Sequence, residues 1–314
     1  MKSLKNIEPM LATLADKPFD KKGWIFEIKW DGYRAIAYKN RSVELISRGH
    51  KSYNARFPDI IKALSKLPGR FILDGEIVIV DSQGRSQFQL LQNYQRRKEG
   101  TPYYYLFDIL SFEGRDLTKL PLLDRKKILK RLLSKSRHVS LRFSSYIASK
   151  GTACFRQAKK KGFEGIIAKK VDSAYQFRRS KDWLKIKTGR RQEVVIGGFT
   201  ESKGGRTCFG SLLVGVYKND QLIYAGRVGG GFDREQLEEV YRQLQKAATK
   251  KCPFFNEPHP NSLVTWVKPK FICEVAFAEW TQAGVMRQPI FKGMRTDKSP
   301  KEVVRERLVS HKYI

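Results

Sequence analysis

Between Gly23 and Tyr38 an ionisable row alternates with a bulky apolar one. Glu27, Lys29 and Asp31 fall on one face of an extended segment, and Phe26, Ile28 and Trp30 fall on the other. A polar row backed by apolar bulk suits the floor of a pocket, although a half-buried strand carrying a surface lysine fits the same pattern. Gly32 provides a tight bend, after which Arg34 can return toward the same place. Three further segments repeat this logic. Asp74 and Glu76 share a face of 73–78, Glu164 opens and Lys169 closes the run 164–169, and Lys185 and Lys187 face together in 183–187. Each alone suits a solvated strand face; together they supply carboxylates for Mg²⁺ and cations for phosphate.

The elements that must position these groups follow from periodicity. Strands are predicted over 24–31, 34–38, 43–47, 71–80, 103–110, 165–169 and 183–187, with helices over 57–67, 123–133 and 152–161, the alternation of a mixed α/β or α+β domain. Around Thr188-Gly189-Arg190-Arg191-Gln192 the texture changes to a polar, glycine-containing hinge. Strands at 194–199, 211–217, 222–228 and 271–280, with one helical insert at 233–246, then suggest a small five-stranded barrel of the OB type. Pro300 opens a predicted short helix over 300–308. Gly229-Gly230-Gly231 reads as a barrel turn in preference to a phosphate cradle, and Gly204-Gly205 as a loop.

Composition narrows the partners. The 314 residues carry 62 Lys and Arg against 31 Asp and Glu, a formal net charge of +31. That excess is spread along the chain and interleaved with aromatics, which favours a nucleic acid partner over a basic amphipathic helix on a membrane. The start, 1–20, lacks the apolar core of a signal peptide, and no run approaches the roughly 18 apolar residues of a membrane span. Cys154, Cys208, Cys252 and Cys273 form no CxxC pair, against both a zinc ribbon and a disulfide framework. His50, His138, His259 and His311 show no ligand spacing. A reducing, cytoplasmic and nucleoid-associated setting is expected.

In order and spacing, the motif-bearing segments resemble the covalent nucleotidyltransferase superfamily of DNA ligases, RNA ligases and mRNA capping enzymes. Lys29, Asp31, Gly32 and Arg34 match its KxDGxR motif; Ser47-Arg48-Gly49, Asp74-Gly75-Glu76, Leu106-Phe107-Asp108, Glu164-Gly165 with Lys169, and Lys185-Ile186-Lys187 match the blocks that follow. Pro9-Met10-Leu11-Ala12, the segment 226–232 and Phe291-Lys292-Gly293-Met294-Arg295-Thr296-Asp297-Lys298 look like the ligase module of the bacterial ligase D group, which acts in non-homologous end joining. The resemblance covers nearly the whole chain. It implies an α+β fold: a nucleotidyltransferase (ATP-grasp-like adenylation) domain with mixed and antiparallel sheets over 1–189, then a C-terminal OB-fold β-barrel over 190–314. The zinc-binding cysteines of NAD-dependent ligases and the helical clamp of larger ATP-dependent ones have no counterpart in the sequence.

What the resemblance implies for function is an ATP-dependent DNA ligase using ATP and Mg²⁺ or Mn²⁺. Lys29 would take AMP from ATP, AMP would pass to a DNA 5′-phosphate, and a 3′-hydroxyl would displace it. Burial and neighbouring cations are expected to lower the Lys29 pKa, with Lys185 and Lys187 also holding the α-phosphate. Glu27 would read the adenine amino group and Phe107 would stack on the base. Glu76 and Glu164 would hold the metal, Glu76 alternatively the ribose, and Lys169 would belong to the nucleotide-binding set. Arg34 and Arg48 would contact ribose or phosphates, and Arg295 with Lys298 would orient the departing pyrophosphate, which needs the barrel to move about the 188–192 hinge. Implied partners are nicked or broken double-stranded DNA and a DNA-end-binding Ku protein, with the ligase acting as a monomer. An RNA ligase, a capping-type guanylyltransferase and a non-catalytic DNA-binding module share parts of this pattern.

Overall fold

The computed structural model describes residues 7–80, 86, 88–136, 138–202, 208–259, 262–306 and 308–309. The Gly204-Gly205 loop and His311 lie outside them. The chain divides into two compact units, Met1–Thr188 with Arg307–Ile314, and Gly189–Glu306.

The first unit runs β1 (Leu11–Ala15), β2 (Trp24–Lys29), β3 (Tyr33–Lys39), β4 (Val43–Ser47), α1 (Pro58–Ser65), β5 (Phe71–Val80), α2 (Phe88–Arg97), β6 (Thr101–Phe112), β7 (Arg115–Asp116), α3 (Leu122–Leu133), β8 (Leu141–Phe143), β9 (Tyr146–Ala148), α4 (Gly151–Lys160), β10 (Gly165–Lys170) and β11 (Arg179–Lys187). Two mixed sheets result. In one, the strand order is β9, β2, β10, β11, β1, with a final short strand Leu308–Val309 added parallel to β1. In the other it is β4, β3, β5, β6, β7, with β8 parallel on β6.

Alternation decides which face of the first sheet is dry. Trp24, Phe26, Ile166, Ala168, Leu184 and Ile186 share one face and form a core with Cys154 and Ala158 of α4. The second sheet buries its outer face against α1 and α3 around Leu45, Ile60, Leu64, Leu73, Ile77, Leu106 and Leu129. A third cluster, Met10, Phe107, Leu110, Tyr175 and Trp183, joins residues of both sheets and of the segments leading into them. Gly32 forms the expected bend, and it does so without a positive φ. What demands glycine there is close approach, since a Cβ would stand 2.1 Å from the Ile77 carbonyl oxygen of β5.

The second unit contains β12 (Arg191–Thr200), β13 (Leu212–Lys218), β14 (Gln221–Val228), α5 (Arg234–Gln245), β15 (Ala248–Thr249), β16 (Val264–Ala276), β17 (Glu279–Trp280), β18 (Met286–Arg287) and β19 (Ile290–Arg295). The main sheet runs β14, β13, β12, β16, β15, with β19 also on β16. Phe291 N donates to Gly230 O at 2.9 Å, so β19 meets the end of β14 and the OB-type sheet curls toward closure. Gly231 has φ +93, which places the triple glycine in that junction. Helix α5 is capped by a reciprocal Asp233–Gln236 box.

Two expectations change. The strand predicted over 271–280 begins at Val264 and stops at Ala276, with Glu279–Trp280 forming a separate ribbon with β18. The helix predicted over 300–308 is one 3₁₀ turn, Pro300–Glu302. Buried Val303 accepts from Tyr217 N at 2.7 Å, and this pulls the chain back to an extended path. Helix α2 and the strands β1, β8 and β9 were not foreseen; β8 and β9, of three residues each, carry too few repeats to show a period.

Candidate active site

Register across the first sheet assembles the polar face. Lys29 of β2 stands opposite Gly165 of β10, which stands opposite Lys187 of β11; one row along, Glu27, Ile167 and Lys185 are aligned, and beyond them Ile25, Lys169 and Trp183. Paired residues in antiparallel strands point the same way, so four lysines and Glu27 share this face. Gly165 lies between two of them for a packing reason: a Cβ there would lie 2.1 Å from Ile186 O.

Lys29 is 22% exposed at its side chain and ion-paired with Glu164. Burial, the largest single influence, acts to lower its pKa, but Glu164, Asp31 and Glu76 together outweigh it and raise the pKa above the ordinary lysine range. The expected depression is therefore reversed by carboxylates rather than supported by cations. Lys169 does behave that way. Burial, with Lys126 adding to it, holds its pKa at about 8 despite Glu27. Its Nζ lies 3.1 Å from Glu27 Oε1 without hydrogen-bond geometry, and over the rings of Phe107 at 4.3 Å and Trp183 at 4.1 Å.

The second sheet contributes Arg34, Glu76 and Tyr105, aligned across β3, β5 and β6. Arg34 forms a bidentate pair with buried Asp74, Nε to Oδ1 at 2.5 Å and Nη2 to Oδ2 at 2.6 Å, and donates to Met10 O at 3.2 Å. Tyr175 also donates to Asp74 Oδ2, at 2.6 Å. Most of the guanidinium that was expected on ribose or phosphate is thus spent on this network. A bulge in β6 leaves Phe107 without a partner on β5 and re-aims it toward Arg34, 4.6 Å from its ring. Phe107 is 8% exposed, with Arg34 and Lys169 against its ring and Trp183 perpendicular to it, so little ring surface remains open for stacking on a base. Arg48 is half-buried on the turn in which Ser47 Oγ accepts from Lys51 N at 2.8 Å.

Arg295 and Lys298 belong to the second unit. Arg295 pairs with Asp297 through two bonds of 2.9 Å, with Glu193 and Glu274 3.8 Å away, and Lys298 pairs with Glu193. Among the described residues no three His, Cys, Asp or Glu side chains gather closely enough to hold a metal. A Mg²⁺ ion needs fewer, since it keeps waters and takes one or two carboxylates plus phosphate oxygens. Glu164 and Glu76, the two carboxylates expected to hold the metal, both act on Lys29.

Residues that sequence reasoning missed sit behind this face. Lys126 of α3 donates to Glu27 Oε1 at 2.7 Å, Ser144 donates to Glu27 Oε2 at 2.8 Å, and Arg125 grips Asp108 through bonds of 2.8 and 2.9 Å. A signal was present. Leu122, Leu129, Leu132 and Leu133 mark the buried stripe of α3, and Arg125 and Lys126 occupy positions i+3 and i+4 of that stripe.

An amine that shares a sheet face with Lys185 and Lys187 and is ion-paired with Glu164 suits transfer of a nucleotidyl group to lysine. Comparison with known proteins agrees. The model of the ATP dependent DNA ligase domain matches residues 9–187, and that of the ATP dependent DNA ligase C terminal region matches residues 205–298. The chain belongs to the ATP-dependent DNA ligase family. It is 40% identical over 309 residues to the multifunctional non-homologous end joining protein LigD of Pseudomonas aeruginosa, covering 96% of this chain and 37% of that protein. Its identity to the LigD repair protein of Mycobacterium tuberculosis strain H37Rv is 38%, over 96% of this chain and 40% of that one. The chain thus spans about two fifths of the length of these relatives. Mycobacterial DNA ligase D complexed with ATP and MES superposes with a TM-score of 0.70 at 36% identity, over 96% of this chain and 99% of that one.

Proposed function

We propose that this chain seals 5′-phosphate/3′-hydroxyl breaks in duplex DNA through a lysyl-AMP at Lys29, as the ligase module of an end-joining repair system. The observation that carries this is the Lys29–Gly165–Lys187 row with Glu164 on the nucleophile, inside a chain of the ligase family. Lys29 Nζ bonds to the α-phosphorus of ATP and pyrophosphate leaves. A DNA 5′-phosphate oxygen then attacks that phosphorus, releasing the lysine and forming DNA-adenylate. The 3′-hydroxyl finally attacks the 5′-phosphorus, and AMP leaves.

Lys185 and Lys187 bind the α-phosphate, and Glu76 and Glu164 hold Mg²⁺ or Mn²⁺. When bound, the metal neutralises phosphate charge and relieves Lys29 of the carboxylates that keep it protonated. The adenylation domain is 1–189 and the OB-fold domain 190–314, a division supported by the compact units Met1–Thr188 with Arg307–Ile314 and Gly189–Glu306 except at the C-terminal end. A Ku-like end-binding partner and polymerase or nuclease activities elsewhere in the repair system rest on the likeness to LigD.

Incubation with α-labelled ATP and Mg²⁺ should give a covalent adduct that Lys29→Ala abolishes while salt-sensitive DNA binding persists. Nick sealing by Lys29→Ala at the unmodified rate would exclude this mechanism, and an adduct formed with GTP but not ATP would point to a capping-type guanylyltransferase.

A further inference from the structure

Glu27 reaches the polar face of the first sheet with its carboxylate already fixed. Oε1 accepts from Lys126 Nζ at 2.7 Å, and Oε2 accepts from Ser144 Oγ at 2.8 Å. Lys126 is itself fully used. Its ammonium has three donors, and besides Glu27 it donates to the carbonyls of Phe107 at 3.3 Å and Ser144 at 3.2 Å. Ser144 is in turn anchored on the second sheet, its backbone N donating to Leu106 O at 2.8 Å. Glu27, Lys126, Ser144 and Lys169 are each 2% exposed or less. A cation so committed has no donor left for a phosphate, so its role is exercised through Glu27.

The consequence concerns which base the pocket accepts. A carboxylate offers about four acceptor positions; the two hydrogen bonds leave Oε2 able to accept one more N–H. Burial works against the ionised form of Glu27, but Lys126 and Lys169 with the two hydrogen bonds outweigh it and hold the carboxyl below its ordinary pKa, so Glu27 can only accept. Adenine presents an amino donor at the ring position where guanine presents a carbonyl oxygen, and that oxygen facing a carboxylate would leave two acceptors opposed. A neutral or reoriented Glu27 could donate to guanine instead.

We propose that Lys126, assisted by Ser144, is a positioning residue that holds Glu27 as an acceptor and thereby makes the enzyme prefer ATP over GTP. This deepens the ligase reading and rests on Glu27 being the group that meets the base. Neighbouring Arg125 explains how the helix delivers Lys126: its pairing with Asp108 of β6 docks α3 so that the next side chain enters the space between the sheets.

The test is single-turnover formation of the covalent adduct with α-labelled ATP or GTP by the full chain. Lys126→Met should lower the ATP-over-GTP ratio of kcat/KM by about 10- to 100-fold, the size expected for a hydrogen bond to a charged group. Most of the loss should appear as a raised KM for ATP, and Lys126→Arg, which retains the charge, should recover part of it. Ser144→Ala, a smaller change, should lower the ratio by several-fold and decides the matter if Lys126→Met does not fold by circular dichroism. Loss of preference in Glu27→Gln with full preference in Ser144→Ala and Lys126→Met would overturn the role of Lys126 and leave Glu27 as the base reader. Full preference in Glu27→Gln, or equal use of both nucleotides by the unmodified protein, would overturn the reading of Glu27 and the proposal with it.

Discussion

Lys29 is held protonated by the carboxylates around it. Glu164 is its ion-pair partner, and Asp31 and Glu76 add to the pull, so its pKa lies above the ordinary lysine value in spite of burial. The sign of the pH dependence follows. Below a raised pKa the reactive neutral amine is the minor form, and its fraction grows about tenfold for each pH unit. Single-turnover adduct formation should therefore climb steadily between about pH 6 and about pH 9. Raising Mg²⁺ should shift the curve to lower pH, because a cation on Glu164 or Glu76 removes the field that favours the ammonium, and chelation of the metal should suppress the adduct. A flat profile at limiting Mg²⁺ would show that loss of the Lys29 proton does not limit the step.

At the scale of elements, α3 adds a polar tie between the two sheets of the first unit. Its leucines pack against the second sheet, while two consecutive cations turn inward, Arg125 onto Asp108 of β6 and Lys126 onto Glu27 of β2. Both arginine and aspartate are 0% exposed, so removing one strands the other without solvent. Arg125→Met should cost on the order of 3–5 kcal/mol in urea unfolding, and the double variant Arg125→Met/Asp108→Leu should regain most of it. Loss of less than about 1 kcal/mol by the single variant would mean that the leucines alone dock α3. The β6 bulge acts at the same scale: one extra residue turns Phe107 out of the ladder and into contact with Arg34 and Lys169.

For the whole molecule the dominant quantity is charge. A net +31 over 314 residues implies association governed by phosphate contacts and counterion release. Log affinity for nicked duplex should fall linearly with log salt, by roughly a thousandfold to a hundred-thousandfold between about 50 and 200 mM if six to ten phosphates are contacted. Fluorescence anisotropy at several salt concentrations measures this directly, and it should be nearly independent of DNA sequence. A slope near zero would remove the electrostatic account of binding.

Periodicity by itself determined the sequence of strands around Lys29 and the presence of a second, barrel-like unit, while the expectation of nucleotidyl transfer came from the resemblance of the motifs to a known superfamily. These are local properties: alternation sets which side chains share a face, and that much needs no knowledge of neighbouring strands. Tertiary structure alone decided the electrostatics. Which strand lies beside β2 determines that Lys187 stands across Gly165 from Lys29, and that carboxylates rather than cations govern the Lys29 amine. It likewise decided that Arg34 is engaged by Asp74 and that Glu27 is held by Lys126, 99 residues away along the chain. Coulombic and hydrogen-bond energies depend on distances of a few ångströms between residues far apart in sequence, and only the folded chain sets those distances.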